Sequence, residues 1–253
     1  MTSRPNKTAE RVPVLSPVRR LELLFRRAIS DAALQGLPAG HALATLASQE
    51  RPDQRGSWSR AYVEVGNLID EAARYSETII TSFEGSPHAK TFEALRSLYG
   101  QITFENGWSN YANQLKYLAD IALPFVVHAT DGSGEPPFVD GDLLAELRRD
   151  LDKVLTRVLE SKLPEAFKEE FARNIRVLRD SIIRMNIYGP EGVARAAALV
   201  VGTVVVNDNA VKADREVVKD AVDTISKIQD VLLKSFKIGA IANAVLKLLT
   251  AGQ

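Results

Sequence analysis

The sequence predicts an all-α protein, an antiparallel bundle of about six to eight helices behind a flexible basic N-terminal arm. Three observations carry that expectation. Apolar residues recur at spacings of three and four over long stretches. Ser-Pro pairs open two of those stretches as cap and first helical residue. Gly- and Pro-rich turns separate the stretches, and no set of partner strands accompanies them. At 253 residues, with 45% apolar and 25% charged residues, the chain resembles an ordinary soluble globular protein with ample core.

Residues 1–15 read as a flexible basic lead-in, because Pro5, Pro13 and Pro17 interrupt any regular pattern. Met1–Ser30 has no continuous apolar stretch, so a secretory signal is not expected there. Ser16-Pro17 opens the first helix, with Val18, Leu21, Leu24, Phe25, Ala28 and Ile29 on one face. Gly36, Pro38 and Gly40 close it, and a short helix is expected over Ala42–Ala47. Residues 52–56 read as a linker, dividing N-terminal helices (16–56) from a main bundle (57–253).

The clearest helix follows. Trp58, Ala61, Tyr62, Val65, Leu68, Ile69, Ala72, Tyr75, Ile79 and Phe83 keep helical spacing until Gly85. Ser86-Pro87 caps a helix carrying Phe92, Leu95, Leu98, Tyr99 and Ile102. Asn106-Gly107 kinks or breaks it, and the pattern resumes through Trp108, Tyr111, Leu115, Leu118, Ala122 and Phe125. Residues 131–137 form a loop. Two more helices carry Leu143, Leu147, Leu151, Val154, Leu155 and Val158, and then Phe167, Phe171, Ile175, Leu178, Ile182 and Met185.

After the Tyr188–Gly192 turn comes Val193–Val206, nearly all apolar and expected as a buried helix despite its valines. A last long helical pattern runs from about Ala213 to Leu249. Its apolar face changes sides. Ile225, Ile228, Val231, Leu232 and Phe236 share one side, opposite Lys227, Lys234 and Lys237. Beyond Gly239, Ile241, Val245, Leu248 and Leu249 fall on the side those lysines occupied. A straight helix would need two partners, so residues 238–253 are a candidate interaction tail. Ile238–Leu249 would make only about 18 Å of helix, too short to cross a bilayer.

Chemistry is constrained mainly by exclusion. With no cysteine, disulfides, thiolate metal sites and cysteine nucleophiles are ruled out, which fits a reducing compartment. None of His41, His88 and His128 sits in a di-iron or zinc motif. Phosphate-loop, dinucleotide and nucleophile-elbow motifs do not occur either. No catalytic residue, cofactor or metal is therefore expected. Asp70, Glu77 and Glu84 recur every seven residues and read as one solvated acidic face. Arg149, Lys153 and Arg157, then Arg173, Arg176 and Arg179, form basic stripes interleaved with acids, so nucleic-acid binding is not expected.

The zero net charge hides a division. Residues 1–60 carry ten Lys/Arg against five Asp/Glu, and residues 61–142 carry four against twelve. Arg19, Arg20, Arg26 and Arg27 are thus a candidate electrostatic patch. Phe236, Ile238, Ile241, Val245, Leu248 and Leu249 are the candidate apolar interface. The expected role is a cytoplasmic, non-enzymatic interaction or regulatory protein of bacterial type, self-associating or partner-binding through these two regions. The alternatives are a membrane-surface effector of toxin or defence type, peripheral to the bilayer through its basic amphipathic tail, and an enzyme whose site is assembled from scattered polar residues.

Overall fold

The computed structural model describes residues 11–132 and 138–236. The protein is all-α and 79% helical, with helices packed in antiparallel contacts. Among the described residues there are eleven separate helices, nine of them of seven or more residues, which exceeds the six to eight expected. The excess comes from short pieces that a spacing pattern does not resolve. One is the single turn after Asp31, whose carboxylate caps the Ala33 N–H. The described residues divide into two compact units. An N-terminal unit gathers 15–132 and 186–188, and a C-terminal unit gathers 11–14, 138–185 and 189–236.

The N-terminal unit contains α1 (Pro17–Ser30), α2 (Ala32–Gln35), α3 (Ala39–Leu46), α4 (Arg55–Ile79) and α5 (Pro87–Gly100). A single helix completes it, running through α6 (Ser109–Tyr117), a π turn (Leu118–Ala122) and α7 (Leu123–Asp131). Both Ser-Pro starts behave as read: Ser16 accepts from the Arg19 N–H and Ser86 from the Ala89 N–H. Residues on both sides of the 52–56 segment share one core, in which Leu43 and Leu46 lie with Trp58, Val65 and Leu68. Gly40 permits this, since a Cβ there would stand 2.6 Å from the Trp58 ring.

The α4 helix stops at Ile79, short of the Phe83 expected from spacing. Its end falls in Thr78-Ile79-Ile80-Thr81, a β-branched run that disfavours helix, and Ser82 then turns left-handed at φ 57°. Glu84 is therefore off the helix that carries Asp70 and Glu77, and the expected three-carboxylate face does not form.

The C-terminal unit contains α8 (Gly141–Glu160), α9 (Glu165–Ile183), α10 (Met185–Val206), α11 (Asp208–Val211) and α12 (Arg215–Phe236). Its core joins Leu147, Leu151, Val154 and Val158 to Phe171, Ile175 and Leu178, with Val200, Val218 and Ile225. Arg11–Pro13, inside the stretch read as a lead-in, forms β1 and pairs antiparallel with β2 (Phe138–Asp140), Val12 opposite Val139. Val193–Val206 is helical, as the flanking pattern required, but only one side is buried. Val193, Ala196, Ala197, Val200 and Val201 face the core, while Leu199, Val205 and Val206 are exposed. The turn read at Tyr188–Gly192 is a kink inside α10, where Gly189 takes φ 61° and ψ −179°, a conformation open essentially to glycine alone.

Candidate interaction surface

The helix over 109–131 shows how one proline redirects a surface. Pro124 has no N–H to give the Asp120 carbonyl, and its ring would crowd that carbonyl in a regular α-helix. The helix loosens just before it. Leu123 N–H reaches back to Leu118 O, and Leu118–Ala122 becomes a π turn. The extra residue shifts the phase of everything beyond. Phe125, which spacing assigns to the core, is 54% exposed, while Leu123, Val126 and Val127 are buried in its place.

The same shift aligns three large apolar side chains. Tyr117, Ile121 and Phe125 are 63%, 59% and 54% exposed, four residues apart along one helix. Positions four apart drift around a regular α-helix. A turn closed by i→i+5 bonds advances less per residue and offsets that drift. Phe125 is steadied by His88, whose ring stacks on it at 4.8 Å with planes 2° apart. Both His88 ring nitrogens are shielded and have no hydrogen-bond partner among the described residues. The His88 imidazole is thus a packing surface.

The four candidate arginines do not share one fate. Arg20 is buried: its guanidinium donates to the Ile187 carbonyl and pairs with Glu71 at 3.3 Å. It is thereby withdrawn from any outward patch. Arg19 and Arg26 both pair with the buried Glu22, at 3.1 and 3.0 Å, and Arg19 also approaches Asp131 at 4.0 Å. Arg27 is exposed. In this unit the basic segment thus meets the acidic one internally at Arg20–Glu71, Arg19–Asp131 and Arg55–Glu105. Of the candidate tail, Ile238, Ile241, Val245, Leu248 and Leu249 lie outside the described residues, and Phe236 is described only as the end of α12.

The remaining polar groups of the N-terminal unit serve structure. Tyr188 and Gln49 both donate to the buried Glu64 carboxylate. Trp108 donates its indole N–H to Ala28 O at 2.8 Å, answering one of the last carbonyls of α1. Tyr62 and Tyr99 stack at 4.5 Å and each donates to the other's backbone carbonyl. Burial, with Tyr62 beside it, holds the Tyr99 phenol well above its usual value. Burial also raises the Tyr111 phenol, but the Thr103 N–H and the Asn106 amide donate to its oxygen and bring it below the usual value on balance.

In the C-terminal unit the basic stripes are partly neutralised. Arg157 pairs with Asp220 and Glu216, Arg179 with Asp152, and Lys153 with Asp150. Among the described residues no group of three or more His, Asp or Glu is placed to hold a metal ion. Ile187–Val206 is long and apolar enough to cross a membrane by length and composition, with half of its span buried. No family model, no curated protein and no solved structure matches this chain.

Proposed function

We propose that the chain is a non-enzymatic interaction or regulatory protein that associates with a second copy of itself through the Tyr117–Ile121–Phe125 face, alongside the tail and Arg19, Arg26 and Arg27 of the patch assigned from sequence. The observation that carries this reading is the row of three large apolar side chains, each more than half exposed, on one helix. The row is symmetric in size about Ile121, with an aromatic ring four residues to either side. Two such helices crossing antiparallel on a two-fold axis set Ile121 against Ile121 and each Tyr117 against a Phe125, a self-complementary pattern. The working location on this reading is the cytoplasm.

Sedimentation velocity over a concentration series tests it. The full chain is expected to dimerise. The triple variant Tyr117→Ser, Ile121→Asn, Phe125→Ser should sediment as a monomer with unchanged helicity, since the replaced side chains face solvent. A full chain that stays monomeric throughout, or a triple variant that dimerises as strongly as the parent, overturns the proposal. Loss of dimer only on deletion of 238–253 would move the interface to the tail.

A second reading rests on α10, whose Leu199, Val205 and Val206 are exposed, Val206 by 82%. In that reading this face and the lysine-flanked tail rest on lipid. Flotation of the full chain with anionic vesicles supports it, and absence of flotation sinks it.

A further inference from the structure

We infer that His88 is the positioning residue of the self-association face: by stacking on Phe125 it presents that ring in one orientation to the Tyr117 of a second copy. This role rests on the association proposed above. Both rings are held by local chemistry that the sequence supplies twice. Each follows a proline in the first turn of a helix, as Pro87-His88 in α5 and Pro124-Phe125 in α7, and proline restricts the backbone there. Ser86 caps the first of these turns by accepting from the Ala89 N–H at 3.2 Å, and Thr91 donates to the Pro87 carbonyl at 3.0 Å. The imidazole therefore leaves one stiff turn and meets a ring that leaves another, with centroids 4.8 Å apart and planes 2° apart. Those values describe an offset stack.

What His88 contributes is the face of its ring. Both imidazole nitrogens are shielded and have no hydrogen-bond partner among the described residues, and such groups cost free energy rather than supply it. The contact also does little for the core. Phe125 remains more than half exposed, and Leu123, Val126 and Val127 are the α7 residues that fill the interior. The stack thus orders a ring on the surface. The other end of the row differs, because Tyr117 has no ring contact among the described residues. In the two-fold arrangement each Phe125 meets a Tyr117, so one ring is already fixed and the other adapts to it. Fixing a side chain on association costs free energy. A Phe125 ordered in the free protein has met part of that cost beforehand, once in each copy.

Sedimentation velocity over a concentration series, on the full chain and its variants, tests the role. His88→Ala should raise the dimer dissociation constant about tenfold, since each dimer loses two stacks. His88→Phe keeps a flat ring without the nitrogens and should dimerise within about twofold of the parent. Adding His88→Ala to Phe125→Leu should weaken the dimer by less than about twofold further, because the stack is already gone. Helicity by circular dichroism should match the parent in every variant. NMR of the monomer at low concentration reads the stack by itself: the Phe125 ring current should displace the His88 ring protons upfield, and Phe125→Leu should return them toward ordinary values. A His88→Ala protein that dimerises as the parent does, or a His88→Phe protein weakened as much as His88→Ala, overturns the role and leaves the association standing. A parent that stays monomeric throughout, with the ring-proton displacement present, overturns the association and this role with it.

Discussion

In the N-terminal unit, Arg20, Glu64, Tyr99 and Trp108 carry hydrogen-bonding groups into the interior and spend them on specific backbone or side-chain partners. In the C-terminal unit, the interior of α8, α9, α10 and α12 is mainly aliphatic and aromatic. Its buried hydroxyls mostly answer their own helix, as Ser181 does for Leu178 O and Thr203 for Leu199 O. Most ion pairs there, such as Arg157 with Asp220, lie at the surface, although the buried Arg184 pairs with Asp180. Apolar burial stabilises without direction, whereas a buried polar group costs free energy unless one particular partner is in place. Both units rest on a large apolar core, and the first adds buried polar contacts whose geometry a few residues define.

Substitutions separate the two designs. The largest loss is expected from Phe171→Ala, about 3–5 kcal/mol, because this fully buried ring leaves a cavity in the aliphatic core. Urea denaturation reads it from the midpoint. A loss below about 1 kcal/mol would mean that the core collapses around the gap and is less tightly packed than its burial suggests.

Arg20→Ala comes next, at about 2–3 kcal/mol, discounted because Glu71 is partly exposed. It strands the Ile187 carbonyl and uncouples Glu71. Arg157→Ala in the other unit removes a half-exposed pairing and should cost less than about 1 kcal/mol. Equal effects of the two arginines in the same denaturation assay would erase the contrast between the units.

The smallest effect at neutral pH, about 1 kcal/mol, belongs to Tyr99→Phe, which deletes the hydrogen bond to Tyr62 O. Its signature lies at alkaline pH. The folded state holds the Tyr99 proton more tightly than the unfolded chain, whose phenol titrates near its ordinary value. Stability from this group is thus complete below about pH 10 and falls as pH rises beyond it, where only the unfolded state releases the proton. Circular dichroism melts between about pH 9 and 11.5 should show a shallower alkaline decline in Tyr99→Phe than in the parent. Parallel declines would show that Tyr99 does not contribute.

Where spacing alone decides the outcome, sequence pattern and structure agree. The α9 series from Phe167 to Ile182 is buried residue by residue, and so is Val18–Ala28 of α1 at the assigned positions. Ser16-Pro17 and Ser86-Pro87 start helices because their chemistry is local. Pattern and structure part where a local rule meets a longer-range one. Phe125 keeps helical spacing from Leu118, yet the π turn moves it outward; Pro124, one residue before it, was the available signal. Tyr117 and Ile121 stand outside the apolar series, so spacing alone does not mark them as a surface. Arg20 looks in sequence like Arg19 and Arg26, and nothing in spacing shows that a carbonyl from residue 187 and a carboxylate from residue 71 meet it inside.

The sequence by itself determined the helical class, most helix starts and the buried faces, because those follow from periodicity and capping within a few turns. The tertiary structure decided which residues share a core across the 52–56 segment, which arginine is buried, and which way the 109–131 helix points Phe125. Those outcomes depend on partners far apart in the chain and on a register shift. Neither leaves a periodic trace.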